Sequence, residues 1–117
     1  MTDNPIDGFF LKKEDFKFIG EGLQRPECIL AEKDGTLWSA DARGGVVRID
    51  TNGNQTIITQ SHSAEDFQSS EDDAQKFVDG TLPNGLAFAS NGDILISNFG
   101  TDCLERMTRT GDTTVMF

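Results

Sequence analysis

Apolar Val47 and Ile49 alternate with Arg48 and Asp50 over residues 46–51, the period of two that marks a half-buried strand. Asn52-Gly53 breaks the run, and apolar character returns at Ile57 and Ile58 within 55–60. Upstream, residues 27–33 and 36–42 flank Asp34-Gly35, a dipeptide that supplies the positive φ of a tight primed hairpin turn. These four runs predict a four-stranded antiparallel meander. A second set follows: 85–90 and 93–99 across Asn91-Gly92, then 104–109 and 113–117 across Thr110-Gly111. Residues 16–20, with Phe16, Phe18 and Ile19 ahead of Gly20-Glu21-Gly22, predict one more short strand stopped by glycines. Residues 1–15 read as a loose polar tail.

The two meanders are copies of one another. Pro26 falls on Pro83, Glu27 on Asn84, Asp34-Gly35 on Asn91-Gly92, Leu37 on Ile94 and Asp41 on Asn98, all at an offset of 57 residues. Beyond that point Arg48 matches Arg106 and Gly53 matches Gly111 at an offset of 58, so the second copy carries one extra residue around 101–103. An internal repeat of this length outranks local signals, because each unit is a supersecondary element that buries its face only against a neighbour. Four-stranded meanders repeating radially are the blades of a β-propeller. The expected fold is therefore all-β, a partial propeller over 16–117, with one blade at about 25–60 and the other at about 82–117.

Between the copies, residues 61–80 carry six acidic side chains against one base, Lys76. This stretch reads as a solvated insertion with one short helical turn near 74–77. The whole chain has a net charge of −10 and a pI near 4.3, which argues against a nucleic-acid backbone or an anionic membrane as partner and makes a cation the more natural ligand. The N-terminal residues have no basic start, and their apolar run at 8–11 is too short for a signal peptide; no stretch approaches membrane-spanning length. The chain reads as soluble and cytoplasmic. Cys28 and Cys103 occupy non-equivalent places in the repeat, so both are expected as free thiols.

Several local motifs yield to plainer explanations. His62 is the single histidine and lies in the polar insertion without a Ser or Cys placed for nucleophilic catalysis. Asp50-Thr51-Asn52-Gly53-Asn54 faintly resembles a calcium loop but lacks the glycine position and terminal Glu of an EF-hand, and is read as a hairpin turn. Asn54-Gln55-Thr56 matches a glycosylation acceptor, which carries weight only with secretion. Met107, Met116 and the phenylalanines are expected to serve packing.

Two pairs of polar residues stand at equivalent places. Glu27 and Asn84 open equivalent inner strands, so blade symmetry sends both side chains to one rim; there they either supply hard oxygen ligands of the kind calcium takes, or cap the strand starts after proline. Asp41 and Asn98 lie near the ends of the second strands, where they either line a pocket or bond to turn amides.

Arg25-Pro26-Glu27, Asp34-Gly35-Thr36-Leu37-Trp38, Leu82-Pro83-Asn84-Gly85 and Asn91-Gly92-Asp93 together resemble the SMP-30/gluconolactonase family, whose relatives include the paraoxonases and the strictosidine-synthase-like proteins. The resemblance covers roughly residue 16 to the C-terminus, two blades' worth of a six-bladed propeller. It implies a divalent cation, usually calcium, at the top of the central channel, with Glu27 as a ligand and Asn84 on the metal or on the substrate beside it. Asn98 and Asp41 become candidate substrate-lining residues. The implied activity is hydrolysis of a lactone or related ester, and the rival is a non-catalytic propeller piece that binds a ligand or a partner. Further ligands of the family belong to later blades, so the expected site is incomplete within these two. Two stacked blades leave faces and edges uncovered, which predicts self-association; the chain reads as the N-terminal part of a longer propeller, with a ring of three two-bladed copies as the alternative.

Overall fold

The computed structural model describes residues 3–61 and 82–117, which form two four-stranded antiparallel sheets, each in simple meander order. The first holds β1 (Ile29–Ala31), β2 (Leu37–Asp41), β3 (Gly45–Ile49) and β4 (Gln55–Thr59). The second holds β5 (Pro83–Phe88), β6 (Ile94–Asn98), β7 (Cys103–Met107) and β8 (Thr113–Val115). His62, the expected helical turn at 74–77 and all of the acidic insertion beyond Ser61 lie outside the described residues. Among the described residues no helix is long and apolar enough to cross a membrane.

The repeat is written into the register. Ile29 faces Ser39 and Ala31 faces Leu37; at an offset of 57, Leu86 faces Ile96 and Phe88 faces Ile94. Asp41 faces Gly45 and Val47 faces Ile57, and their counterparts are Asn98 with Cys103 and Glu105 with Val115. The extra residue of the second copy falls in the turn between β6 and β7, where Asp102 takes a left-handed φ of 53°.

The hairpin turns differ from the primed turn expected at Asp34-Gly35. Gly35 N donates to Glu32 O at 3.0 Å while Glu32 N donates to Thr36 O at 2.8 Å, a three-residue loop in which Gly35 takes a positive φ of 95° and Asp34 does not. The same pair of bonds closes the turns from Asp50 to Asn54, from Ala89 to Asp93 and from Thr108 to Asp112. Asp34, Asp50 and Asn91 each accept the amide two residues on, which favours an ordinary turn entering the glycine over a primed one. Asp50 also accepts from Asn54 N and Nδ2, so its carboxylate is engaged within its own hairpin.

The sheets stack face to face, with β5 against β1 and β2. Trp38, Ala40 and Val46 of the first sheet and Leu86, Ile94, Ile96 and Met107 of the second form one buried cluster, with Cys28, Leu30, Ile58 and Phe88 at its margin. In the second sheet burial alternates as a period of two demands: Ile94, Ile96, Glu105 and Met107 are inside, Ser97, Leu104 and Arg106 outside. In the first sheet β2 is buried continuously from Trp38 to Asp41, and Val46 and Val47 are both buried.

Two expectations need correction. Residues 16–20 form no strand: a single 3-10 turn, Lys13–Asp15, precedes them, and Phe16, Phe18 and Ile19 are exposed. The chain is tied to β4 just beyond, where the Gln55 side chain accepts from Glu21 N (2.7 Å) and donates to Glu21 O (2.9 Å), one side-chain amide standing in for a backbone ladder. Among the described residues, Met116 and most phenylalanines do not serve packing either, although Phe88 lies at the margin of the buried cluster. Phe9, Phe10, Phe16, Phe18, Phe99, Met116 and Phe117 are all exposed, because they sit in the arm, a turn and the C-terminal residues, away from the two stacked faces; Met107, in β7, is fully buried.

Candidate functional site

Asp41 closes β2 and Asn98 closes β6, and each turns its side chain back toward the start of its own sheet. Asp41 Oδ2 accepts Gln24 N (3.1 Å), Oδ1 accepts Arg43 N (3.0 Å), and the Arg43 guanidinium grips both oxygens at 2.7 and 2.8 Å. Burial pushes the Asp41 carboxyl up, but the Arg43 guanidinium and the Gln24 and Arg43 amides outweigh it and hold it below the ordinary aspartate range. Asn98 Oδ1 accepts Leu82 N (2.9 Å) and Gly100 N (3.0 Å), and its Nδ2 donates to Glu105 Oε2 (2.9 Å). Both side chains are buried, and both bond to turn and strand-start amides; Asn98 also borders a shallow depression shared with Asn84, Ser97 and Phe99.

These anchors place the candidate ligands. Ala42 N donates to Gln24 O (2.8 Å) as Phe99 N donates to Leu82 O (3.0 Å), so Gln24 plays in the first sheet the part that Leu82 plays in the second. Leu82 is followed directly by Pro83 and Asn84, whereas Gln24 is followed by Arg25, then Pro26 and Glu27. Arg25 is thus an extra residue between anchor and proline. It adopts a left-handed φ of 51° directly before a proline, where extended conformations are favoured. Beyond it, Glu27 and Asn84 meet across the sheets, Asn84 Nδ2 donating to Glu27 Oε2. Arg25 Nη2 donates to the other oxygen, Oε1, at 2.6 Å. The three side chains, with Leu82, Pro83 and Phe99, line a small cleft at the rim.

A carboxylate and an amide oxygen are the donors a hard cation takes. In the arrangement seen, however, both Glu27 oxygens are engaged, one by a cationic side chain. Among the described residues no group of three or more His, Cys, Asp or Glu side chains converges as a metal site.

Other polar contacts cross the sheets. Arg109, beyond β7, donates to Glu32 Oε1 (2.5 Å) and lies over the Trp38 and Phe88 rings, 5.2 and 5.5 Å from their centroids. Trp38 Nε1 donates to the same Glu32 oxygen (2.6 Å), and these bonds, Trp38's first and then Arg109's, hold the Glu32 carboxyl below its ordinary value. Deeper in, Glu105 accepts from Gln60 Nε2 (2.6 Å), Asn98 Nδ2 (2.9 Å) and Thr101 Oγ1 (2.9 Å). The signal for Glu105 was available in the repeat, since it occupies the position of the buried Val47. Cys28 and Cys103 are free thiols, and Cys28 Sγ accepts Leu86 N at 3.2 Å, joining the two inner strand regions. No family model, curated protein or solved structure matches the chain.

Proposed function

We propose that the two sheets are consecutive blades of a β-propeller of the SMP-30/gluconolactonase type, and that Glu27 and Asn84 belong to a divalent-cation site, calcium by preference, in a hydrolase of lactones or related carboxylic esters. One observation carries the reading: two side chains at the same place in two repeats, 57 residues apart, meet at one rim. A cation held there would polarise a substrate carbonyl and lower the pKa of bound water. Glu27 supplies the charged oxygens and Asn84 an amide that presents Oδ1 once its Nδ2 is released. Asp41 and Asn98 act as positioning residues, holding Gln24 and Leu82 so that both rim side chains keep their places. Further oxygen ligands come from further blades, in the same chain or in associated copies.

A second reading follows from the engagement of both Glu27 oxygens. There the Arg25–Glu27–Asn84 group ties the sheets together, and the assembly is a non-catalytic binding module. Calcium titration by calorimetry, followed by lactone hydrolysis, separates the two. Calcium-dependent turnover that Glu27→Gln abolishes is the expected result. Calcium binding without turnover favours the module, and neither binding nor turnover overturns the cation site.

A further inference from the structure

We propose that Asn52-Gly53, in the turn between β3 and β4, is a self-modification site at which Asn52 deamidates to aspartate and isoaspartate. This chemistry is independent of the rim site. The chain holds three Asn-Gly steps, at 52–53, 84–85 and 91–92. Glycine after asparagine permits the reaction because no Cβ keeps its peptide nitrogen away from the side-chain carbonyl carbon. The Gly53 nitrogen bonds to Asn52 Cγ, the Cγ–Nδ2 bond breaks, and ammonia leaves with the proton of the Gly53 amide. Water then opens the succinimide ring, at Cγ to give aspartate or at the main-chain carbonyl to give isoaspartate. The sum is one water taken up and one ammonia released, with no oxidant or reductant.

Asn52 and Asn91 occupy the same place in equivalent turns. Gly53 N donates to Asp50 O at 3.0 Å and Gly92 N to Ala89 O at 2.9 Å, and the two glycines take φ of 86° and 88°. In both turns the glycine N–H must first leave its carbonyl, so the backbone hinders attack alike and the side chains make the difference. Asn91 is clamped on Asp93: its Oδ1 accepts Asp93 N (3.1 Å) and its Nδ2 donates to Asp93 Oδ2 (2.9 Å). Asn84 lies in β5 with its Nδ2 on Glu27. Asn52 gives its backbone N to Asp50 Oδ1 (2.8 Å), and no hydrogen bond to a described residue holds its carboxamide. Asn52 is exposed, and a Cβ on Gly53 would meet nothing within 4 Å, so the carboxamide is free to turn onto the Gly53 nitrogen. A clamp of ordinary net hydrogen-bond strength leaves Asn91 competent roughly two- to twelvefold less of the time than Asn52.

The test is incubation of the full chain in mildly alkaline buffer, folded and in urea, followed by peptide mapping with mass spectrometry and chromatographic separation of the aspartate and isoaspartate products. In the folded chain Asn52 should convert roughly two- to twelvefold faster than Asn91, and ahead of Asn84. In urea, where the clamps are gone, the three rates should converge. Asp93→Ala, checked for folding by circular dichroism, removes the carboxylate that holds Asn91 Nδ2 and should raise the Asn91 rate toward that of Asn52. Should that variant not fold, the comparison of folded and urea-treated wild type decides alone. Asn91 or Asn84 converting as fast as Asn52 in the folded chain overturns the assignment. So does an unmodified Asn52 in the folded chain over a time in which the urea-treated chain is converted. A lead for Asn52 that persists undiminished in urea overturns it too, since flanking sequence would then set the order. An unchanged Asn91 rate in folded Asp93→Ala overturns the clamp as the cause.

Discussion

Asp41 keeps a buried charge by surrounding it with donors: two backbone amides and a bidentate guanidinium. Since its carboxyl titrates lower in the folded chain than in the unfolded one, its stabilising contribution is complete above the ordinary aspartate pKa of about 3.9. That contribution is lost as pH falls through the lowered folded value. Asp41→Asn should therefore cost roughly 1–3 kcal/mol near neutrality by urea unfolding, with the gap from wild type narrowing below about pH 4. A gap that stays constant down to pH 3 would mean that the charge is not what Gln24 and Arg43 require. Asn98 performs the equivalent task without a charge, accepting Leu82 N where Asp41 accepts Gln24 N. This is also where sequence alignment and structure part. An ungapped offset of 57 places Arg25 on Leu82, but the hydrogen bonds place Gln24 there, because the anchor is a backbone interaction that any residue type can make. Arg25 was therefore readable only as part of a motif, and its left-handed conformation was not.

At the scale of elements, the hairpins show what sequence pattern can and cannot specify. The order and pairing of the eight strands were legible, because the offset of 57 and then 58 reappears in the register wherever both copies pair, although β5 adds a bulge between Pro83 and Gly85 that β1 lacks. The turn type was not: Asp-Gly and Asn-Gly suit several turns, and all four hairpins, Thr108 to Asp112 included, close with the same three-residue loop whatever residue precedes the glycine. Nor was the fate of residues 16–20, since alternation marks a segment able to become a strand and says nothing of whether a partner edge is there to receive it. The hairpin between β7 and β8 has a further duty, because it abuts the first sheet. A Cβ on Gly111 would lie 2.5 Å from Thr59 O at a φ of 105°, whereas Gly53, at φ 86°, has nothing within 4 Å. Gly53→Ala should then cost about 1 kcal/mol for conformation alone, and Gly111→Ala about 2–4 kcal/mol through conformation plus overpacking. Equal losses in urea midpoint for the two variants would show that the sheets are not docked at this corner. Arg109 pins a second corner, its guanidinium lying over Trp38 and Phe88 while bonding Glu32.

At the scale of the molecule, each sheet buries a face against the other, and the first sheet is also buried on its opposite face at Ser39, Val47 and Ile49, while apolar side chains stay uncovered elsewhere. Leu104, Val115, Met116 and Phe117 are exposed on and beyond β7 and β8, and Ile29 and Ile57 on the first sheet. Among the described residues, β4 and β8 each pair along one edge only. Unpaired edges beside exposed apolar residues favour association. The uncovered surfaces of the two sheets differ, so copies would meet front to back, a heterologous contact that closes only if its rotation divides a circle. For six blades, three copies suffice. The residues at 16–20 bear on this count: had they formed a strand, each junction of such a ring would hold one strand too many, since β8 already completes the second sheet. They form none, and among the described residues each of the two sheets has four strands. Multi-angle light scattering at micromolar concentration should therefore find an associated species. A trimer is the result the closed ring requires, and a dimer or a broad distribution indicates association through the same faces without closure. A compact monomer would mean that the exposed side chains are tolerated in water, and the association argument would fall.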